Sequence, residues 1–240
     1  MLIRMFAAIS SFTKRVKWFL CLSSLLFVTA AFAAPEQTTT KKGAGPERPK
    51  AAQQQPDMDQ NQQQQLERMN KATEKVLNRI QTEENDLYLR VGYFSKAERL
   101  NPNSYASKDE IAQWRGMLDE LKQKHELVEQ LYTDLDKDLT TELKATGVNE
   151  QSINRYKKLI TDGFPWETIE KKKQLIDQYI DEHGKLLTFY EKNWGMWKPA
   201  KDLAKLEFTS PSAANIYNRL RDQIVSTTSE IQKQYKEMSE

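Results

Sequence analysis

At 240 residues, with 29% charged and 38% hydrophobic side chains, 8 glycines and 8 prolines, the chain is long enough for one domain plus a tail and has the balance of a helix-rich soluble protein. Its formal charge is +2, but Arg4, Lys14, Arg15 and Lys17 fall in the first 33 residues with no acid among them, so the remainder carries −2. A near-neutral domain with interspersed signs excludes nucleic acid as the main ligand, because phosphate binding needs a net basic face.

Residues 1–17 are a basic leader, 18–28 are apolar and 29–34 are rich in small residues. Ala31-Phe32-Ala33 fits the A-x-A cleavage pattern, which predicts a signal peptide over 1–33 with Ala34 as the new N-terminus. The apolar run of about 16 residues is short of the ~20 that span a bilayer, so an uncleaved membrane anchor is the second reading. Cys21, the single cysteine, lies within that run. Leu20 stands before it, where a lipoprotein signal has a small residue, so Cys21 is read as an apolar residue of the leader. The exported chain then has no disulfide and depends on core packing. It also has no Asn-x-Ser/Thr sequon, and both absences fit a bacterial envelope.

Residues 34–65 hold Thr38-Thr39-Thr40, Lys41-Lys42-Gly43, several prolines and the Gln runs 53–55 and 62–65. They carry too little apolar surface to offset ordering and read as a disordered linker, whose Gln tract continues helically into the first helix of the domain.

Residues 66–240 read as the folded domain. The first helix spans 66–100, with Leu66, Met69, Val76, Leu77, Ile80, Leu87, Val91 and Phe94 near one face and Thr73 and Glu83 interrupting it. Asn101-Pro102-Asn103-Ser104 breaks it. The second helix, 108–146, has the clearest stripe: Ile111, Trp114, Leu118, Leu121, His125, Val128, Tyr132, Leu135 and Leu139, widened by Met117 and Leu131. Ser107 with Glu110 is a capping-box start and Gly147 a stop. Asn149 caps a short helix over 150–161, with Ile153, Tyr156, Leu159 and Ile160 apolar. The next long helix spans 166–193, with Ile169, Ile176, Ile180, His183, Leu187, Tyr190, Trp194 and Trp197 at heptad spacing. Residues 201–206 suit one loose turn. Ser210-Pro211 then opens the last helix, whose buried side is Ile216, Leu220, Ile224, Thr227, Ile231 and Met238. No run alternates with period two for long enough to predict a sheet.

The predicted fold is therefore all-α: an up-down bundle of four long helices and one short one. In that arrangement Tyr93, Phe94, Tyr105, Trp114, Trp194, Trp197 and Phe208 gather at one pole, with Phe164 and Trp166 at the other.

Chemistry-bearing motifs are sparse. His125-Glu126-Leu127-Val128-Glu129 resembles the zincin H-E-x-x-H pattern with Glu129 in place of the second histidine, so one of the two imidazoles that motif needs is missing. The di-metal Glu-x-x-His spacing is absent: Lys122 precedes His125 and Ile180 precedes His183. His125, His183 and a carboxylate are weighed as a single-metal site and set aside in favour of hydrogen-bonded boundary histidines, leaving no metal and no cofactor expected. No G-x-S-x-G, P-loop or G-x-G-x-x-G occurs. The Asn193–Pro199 stretch, with two tryptophans beside Gly, Met and Pro, is the most unusual composition in the domain. Trp194, Trp197, Tyr93, Tyr105 and Phe208 are the candidate binding residues, against the plainer reading of a hydrophobic plug. The expectation is a non-enzymatic exported protein that binds another envelope protein, as an adaptor, inhibitor-like or chaperone-like module. The second reading is a small-molecule or glycan site at the aromatic pole, and the third is a His/carboxylate metal-dependent hydrolase. Membrane association is expected only if the leader is kept.

Overall fold

A computed structural model describes residues 60–199 and 206–237. The leader 1–33, linker residues 34–59, residues 201–205 of the expected loose turn and Met238 lie outside the described residues. The chain divides into two units, residues 1–70 and 71–240. Of the first, only the opening of helix α1 (Gln60–Phe94) is described. Residues 60–65, the end of the expected linker, are helical, so the Gln tract does run on into the first helix. Glutamine is a good helix former and no proline follows Pro56 to stop the helix from starting there.

The second unit holds the rest of α1, two 3-10 turns (Ala97–Leu100 and Pro102–Ser104), then α2 (Lys108–Thr133), α3 (Leu135–Lys144), α4 (Glu150–Asp162), α5 (Trp166–Lys192), a hairpin of β1 (Trp197–Pro199) and β2 (Leu206–Phe208), and α6 (Pro211–Glu237). The described chain is mostly helical. Local chemistry sets several helix ends. Ser107 Oγ accepts from Glu110 N–H at 3.2 Å, while Glu110 Oε2 reaches past the cap to Ala106 N–H at 2.8 Å, one residue beyond the usual capping box. Asn149 caps α4 through Ser152 N–H. Gly147 has φ 72°, a left-handed stop that favours glycine.

Four expectations are corrected. The 108–146 helix is two helices, interrupted at Asp134, whose side chain is held by Gln130 Nε2 at 2.7 Å. The backbone stays close to helical there, with Asp134 N–H donating to Gln130 O at 2.8 Å and Asp138 N–H to Asp134 O at 2.9 Å. The interruption is one residue long, so Leu131, Leu135 and Leu139 all stay buried. Second, Leu206 does not belong to a loose turn. Gly195, at φ 82°, lies in the turn between the end of α5 and β1, and Trp197 pairs across the hairpin with Phe208, Lys198 with Glu207, and Pro199 with Leu206. Third, Met117, Leu159 and Ile216 are exposed, at 38%, 58% and 39%. Ala213 and Tyr217 flank Ile216 on the buried side of α6. Fourth, Thr73 is buried and continues the α1 stripe.

Cross-helix pairs fix the helix directions. Arg115 meets Glu191 and His125 meets Asp177, so α2 and α5 run antiparallel. Phe189 meets Tyr217 and Gln178 meets Thr227, so α5 and α6 do too. A belt of charge joins α1 to α2 and α3: Lys75–Glu142, Arg79–Asp138, Lys124 with Glu83 and Asp86, and Arg90–Glu120. The core is centred on α5, where Ile176, Tyr179, Leu186, Leu187 and Tyr190 meet Leu118, Leu121, Leu220 and Ile224. Three tyrosine hydroxyls tie the end of α1 and the chain after it to this core. Tyr179 donates to Val91 O at 3.1 Å, Tyr105 to Arg99 O at 3.1 Å, and Tyr217 to Leu100 O at 2.7 Å. Carbonyls left over past a helix end are costly when buried, and the Tyr105 and Tyr217 hydroxyls satisfy those of Arg99 and Leu100; Val91 O also accepts from Ser95 N–H at 3.0 Å.

Candidate functional site

The sequence singled out the aromatic end. There, α5 and the hairpin bring Trp194, Trp197 and Phe208 together with Tyr105, while Tyr93 stands apart. Trp197 lies 5.5 Å from Trp194 edge-on, 5.9 Å from Tyr190 and 6.5 Å from Phe208. Phe208 packs 5.1 Å from Tyr217, and Tyr105 lies 5.4 Å from the fully buried Tyr190. The Arg99 guanidinium covers the Trp114 ring at 3.7 Å. Trp194, Trp197 and Phe208 are half-buried and Tyr105 is buried, so most of their ring area is already taken by neighbours. Burial pushes the Tyr105 phenol up to about 12. Tyr93 is 49% exposed on the outer side of α1, with the Lys96 ammonium over its ring.

A second region was not foreseen. A groove of about 340 Å³ opens where α1, α2 and the start of α5 converge. Leu87, Val128 and Ile176 line its floor, and Ile169 and the 43%-exposed Trp166 line its wall. Trp166 stacks on Phe164 at 5.3 Å and donates its indole N–H to Thr161 O at 3.0 Å, which fixes the ring at the groove mouth. Charged and polar groups from all three helices complete the lining: Glu84, Tyr88, His125, Glu129, Tyr132, Glu170, Lys172 and Lys173.

These groups are organised in two clusters. In the first, Glu84 Oε1 accepts from the Tyr132 hydroxyl at 2.9 Å and lies 3.7 Å from Lys172 Nζ, while Lys172 sits 5.6 Å from the Tyr88 ring centre. Burial, then the Glu84 charge, raises both the Tyr88 and Tyr132 phenols well above the ordinary range. Both therefore stay protonated, as hydrogen-bond donors rather than nucleophiles. In the second, His125 Nε2 lies 3.1 Å from both Glu129 Oε1 and Asp177 Oδ1, and Lys173 Nζ stands 3.7 Å from the same Glu129 oxygen. His125 and Glu129 share one face of α2 at i, i+4, and Asp177 faces them from α5.

His183 does not join this group. It packs against Phe94 and Tyr179, at 5.4 and 4.5 Å, and burial lowers its pKa to about 3, so it is a neutral core residue. The pairing of His125 with His183 weighed from the sequence is replaced by His125 with Asp177. Comparison with protein-family models, curated proteins and solved structures finds no match to this chain.

Sequence reasoning left out Asp177, Glu84, Lys172 and Tyr132 as a group. One signal was available: Lys172 falls between Ile169 and Ile176, in phase with an apolar stripe, where a charge needs a buried partner. The identity of that partner, on α1, could not be read from spacing. Among the described residues no helix is long and apolar enough to cross a membrane.

Proposed function

We propose that this chain is an exported, non-enzymatic up-down helical bundle that binds another envelope protein, and that the groove beside Trp166 is its contact surface. The observation that carries the reading is an exposed, orientationally fixed tryptophan on an apolar-floored groove ringed by charges of both signs. A dry apolar centre, a polar rim and an aromatic anchor are the usual anatomy of a protein interface. The rim charges, Glu129, Glu170 and Lys173, would set the register of a partner segment carrying opposite charges. The basic, apolar and small-residue order of residues 1–33 supports export.

A photo-crosslinking residue at position 166 tests this in intact envelopes, with the same residue at the exposed Val225 as control. Position 166 should give one dominant crosslinked protein, which Lys173→Glu diminishes. Equal, diffuse labelling from both positions would retire the groove. A small molecule is the second reading, favoured by the groove volume of about 340 Å³, within the range of ligand pockets.

A further inference from the structure

We propose that His125, Glu129 and Asp177 form a binding site for one divalent transition-metal ion, Zn²⁺ being the best match. This rests on the geometry of the three side chains and not on the partner-binding reading. One imidazole nitrogen and two carboxylate oxygens are a donor set suited to Zn²⁺ and Co²⁺. The three donor atoms lie within 4.8 Å of one another, with Nε2 at 3.1 Å from each oxygen. Donors held at about 2.0–2.2 Å around a tetrahedral ion are about 3.4 Å apart, so the imidazole needs to open from each oxygen by a few tenths of an ångström, and the two carboxylate oxygens close to that spacing by rotation of the half-exposed Asp177 side chain.

Without an ion, a single Nε2–H is shared between two converging carboxylates, and the Lys173 ammonium at 3.7 Å supplies a further positive charge. A divalent ion neutralises both carboxylates at once and clamps α2 to α5. Lys173 is then a competitor of the ion.

The affinity of the site is set by its surroundings. His125 is 4% exposed, and its Nδ1 is buried without a hydrogen-bond partner. Metal-bound histidines normally donate that second N–H to an acceptor, and losing the acceptor weakens binding about 10–100-fold. The site is accordingly of modest affinity. Three protein donors leave a fourth position for water or for a donor from a partner, on the side where His125 and Glu129 line the groove.

The test uses purified full-length protein stripped of metal, titrated with Zn²⁺ by calorimetry and with Co²⁺ by visible absorption. Wild type should bind one Zn²⁺ per chain, and Co²⁺ should give ligand-field bands of a nitrogen–oxygen site. Asp177→Asn, at a side chain 57% exposed, should stay folded by circular dichroism and bind at least about 10-fold more weakly. Lys173→Gln should bind several-fold more tightly. The proposal is overturned if neither wild type nor Lys173→Gln shows saturable Zn²⁺ binding, or if binding survives unchanged in both Asp177→Asn and His125→Gln.

Discussion

The aromatic end of the core and the groove beside Trp166 are both built where helices converge, and they differ in the polar groups they hold: chiefly tyrosine hydroxyls at the first, cross-helix charge pairs at the second. In the interior around α5, the His183 Nε2, the Tyr190 hydroxyl and the Glu182 Oε2 are buried without hydrogen-bond partners. Around the groove, Glu84 pairs with Tyr132 and Lys172, and His125 with Asp177, across helices; Asp177 reaches solvent, while Lys172 and His125 are buried beneath the rim. Aromatic rings that gather densely consume one another's surface. Charges of opposite sign held apart by helix backbones leave room between them.

The largest effect should come from breaking the packed side of this comparison. Tyr190→Ala removes a fully buried ring that contacts Tyr105, Phe189, Trp197 and Tyr217, and should cost about 3–5 kcal/mol in urea unfolding. If the loss stays below that of a surface substitution, the aromatic end is not the packed body described.

Acid should reveal the buried histidine. The ordinary imidazole value is 6.5 and the folded value about 3, so the unfolded chain binds the proton first. Stability is therefore full above pH 6.5 and falls as pH drops toward 3, with a slope approaching about 1.4 kcal/mol per pH unit. His183→Leu should flatten the stability profile between pH 6 and 4. Asp86, whose carboxyl is lowered chiefly by its hydrogen bond from Lys124, acts in a different window, its contribution being lost only as pH falls below 3.8. A profile unchanged by His183→Leu would move the acid sensitivity elsewhere.

Glu182 gives the opposite sign. It is 4% exposed, and Gln178 serves only its Oε1. Glu182→Leu should raise stability by about 1–3 kcal/mol, the cost of leaving a buried polar atom unpaired. Gln178 keeps Thr227 Oγ1 at 3.0 Å in that variant. A destabilised variant would reveal a role for the carboxylate in holding α5 to α6.

The smallest stability change belongs to the open region. Trp166→Ala should cost less than about 1.5 kcal/mol, since the ring is 43% exposed and packs chiefly on Phe164. It should nevertheless reduce partner crosslinking at the groove. A large loss of stability with unchanged crosslinking would make Trp166 a structural staple.

Amphipathic periodicity and caps alone determined the all-α class, the start of α2 at Ser107, α4 behind Asn149, α5 to within a residue of its end at Lys192, and the opening of α6 at Pro211. Those features depend on neighbours within four residues, where helix geometry is fixed by local spacing and by which backbone groups are left over at the ends. Tertiary packing decided the rest. The burial of Thr73, Tyr217 and Phe189, against the exposure of Met117 and Ile216, follows from which side each neighbouring helix approaches. The hairpin follows from a cross-strand match between Trp197 and Phe208. Most of all, the joining of His125 to Asp177 and of Glu84 to Lys172 depends on the register between helices 52 and 88 residues apart in sequence. Within one helix the spacing i, i+4 could mark His125 and Glu129 as neighbours. The third side chain is supplied only when α5 docks, because helix register is set by the fit of whole core surfaces and not by any residue of the site itself.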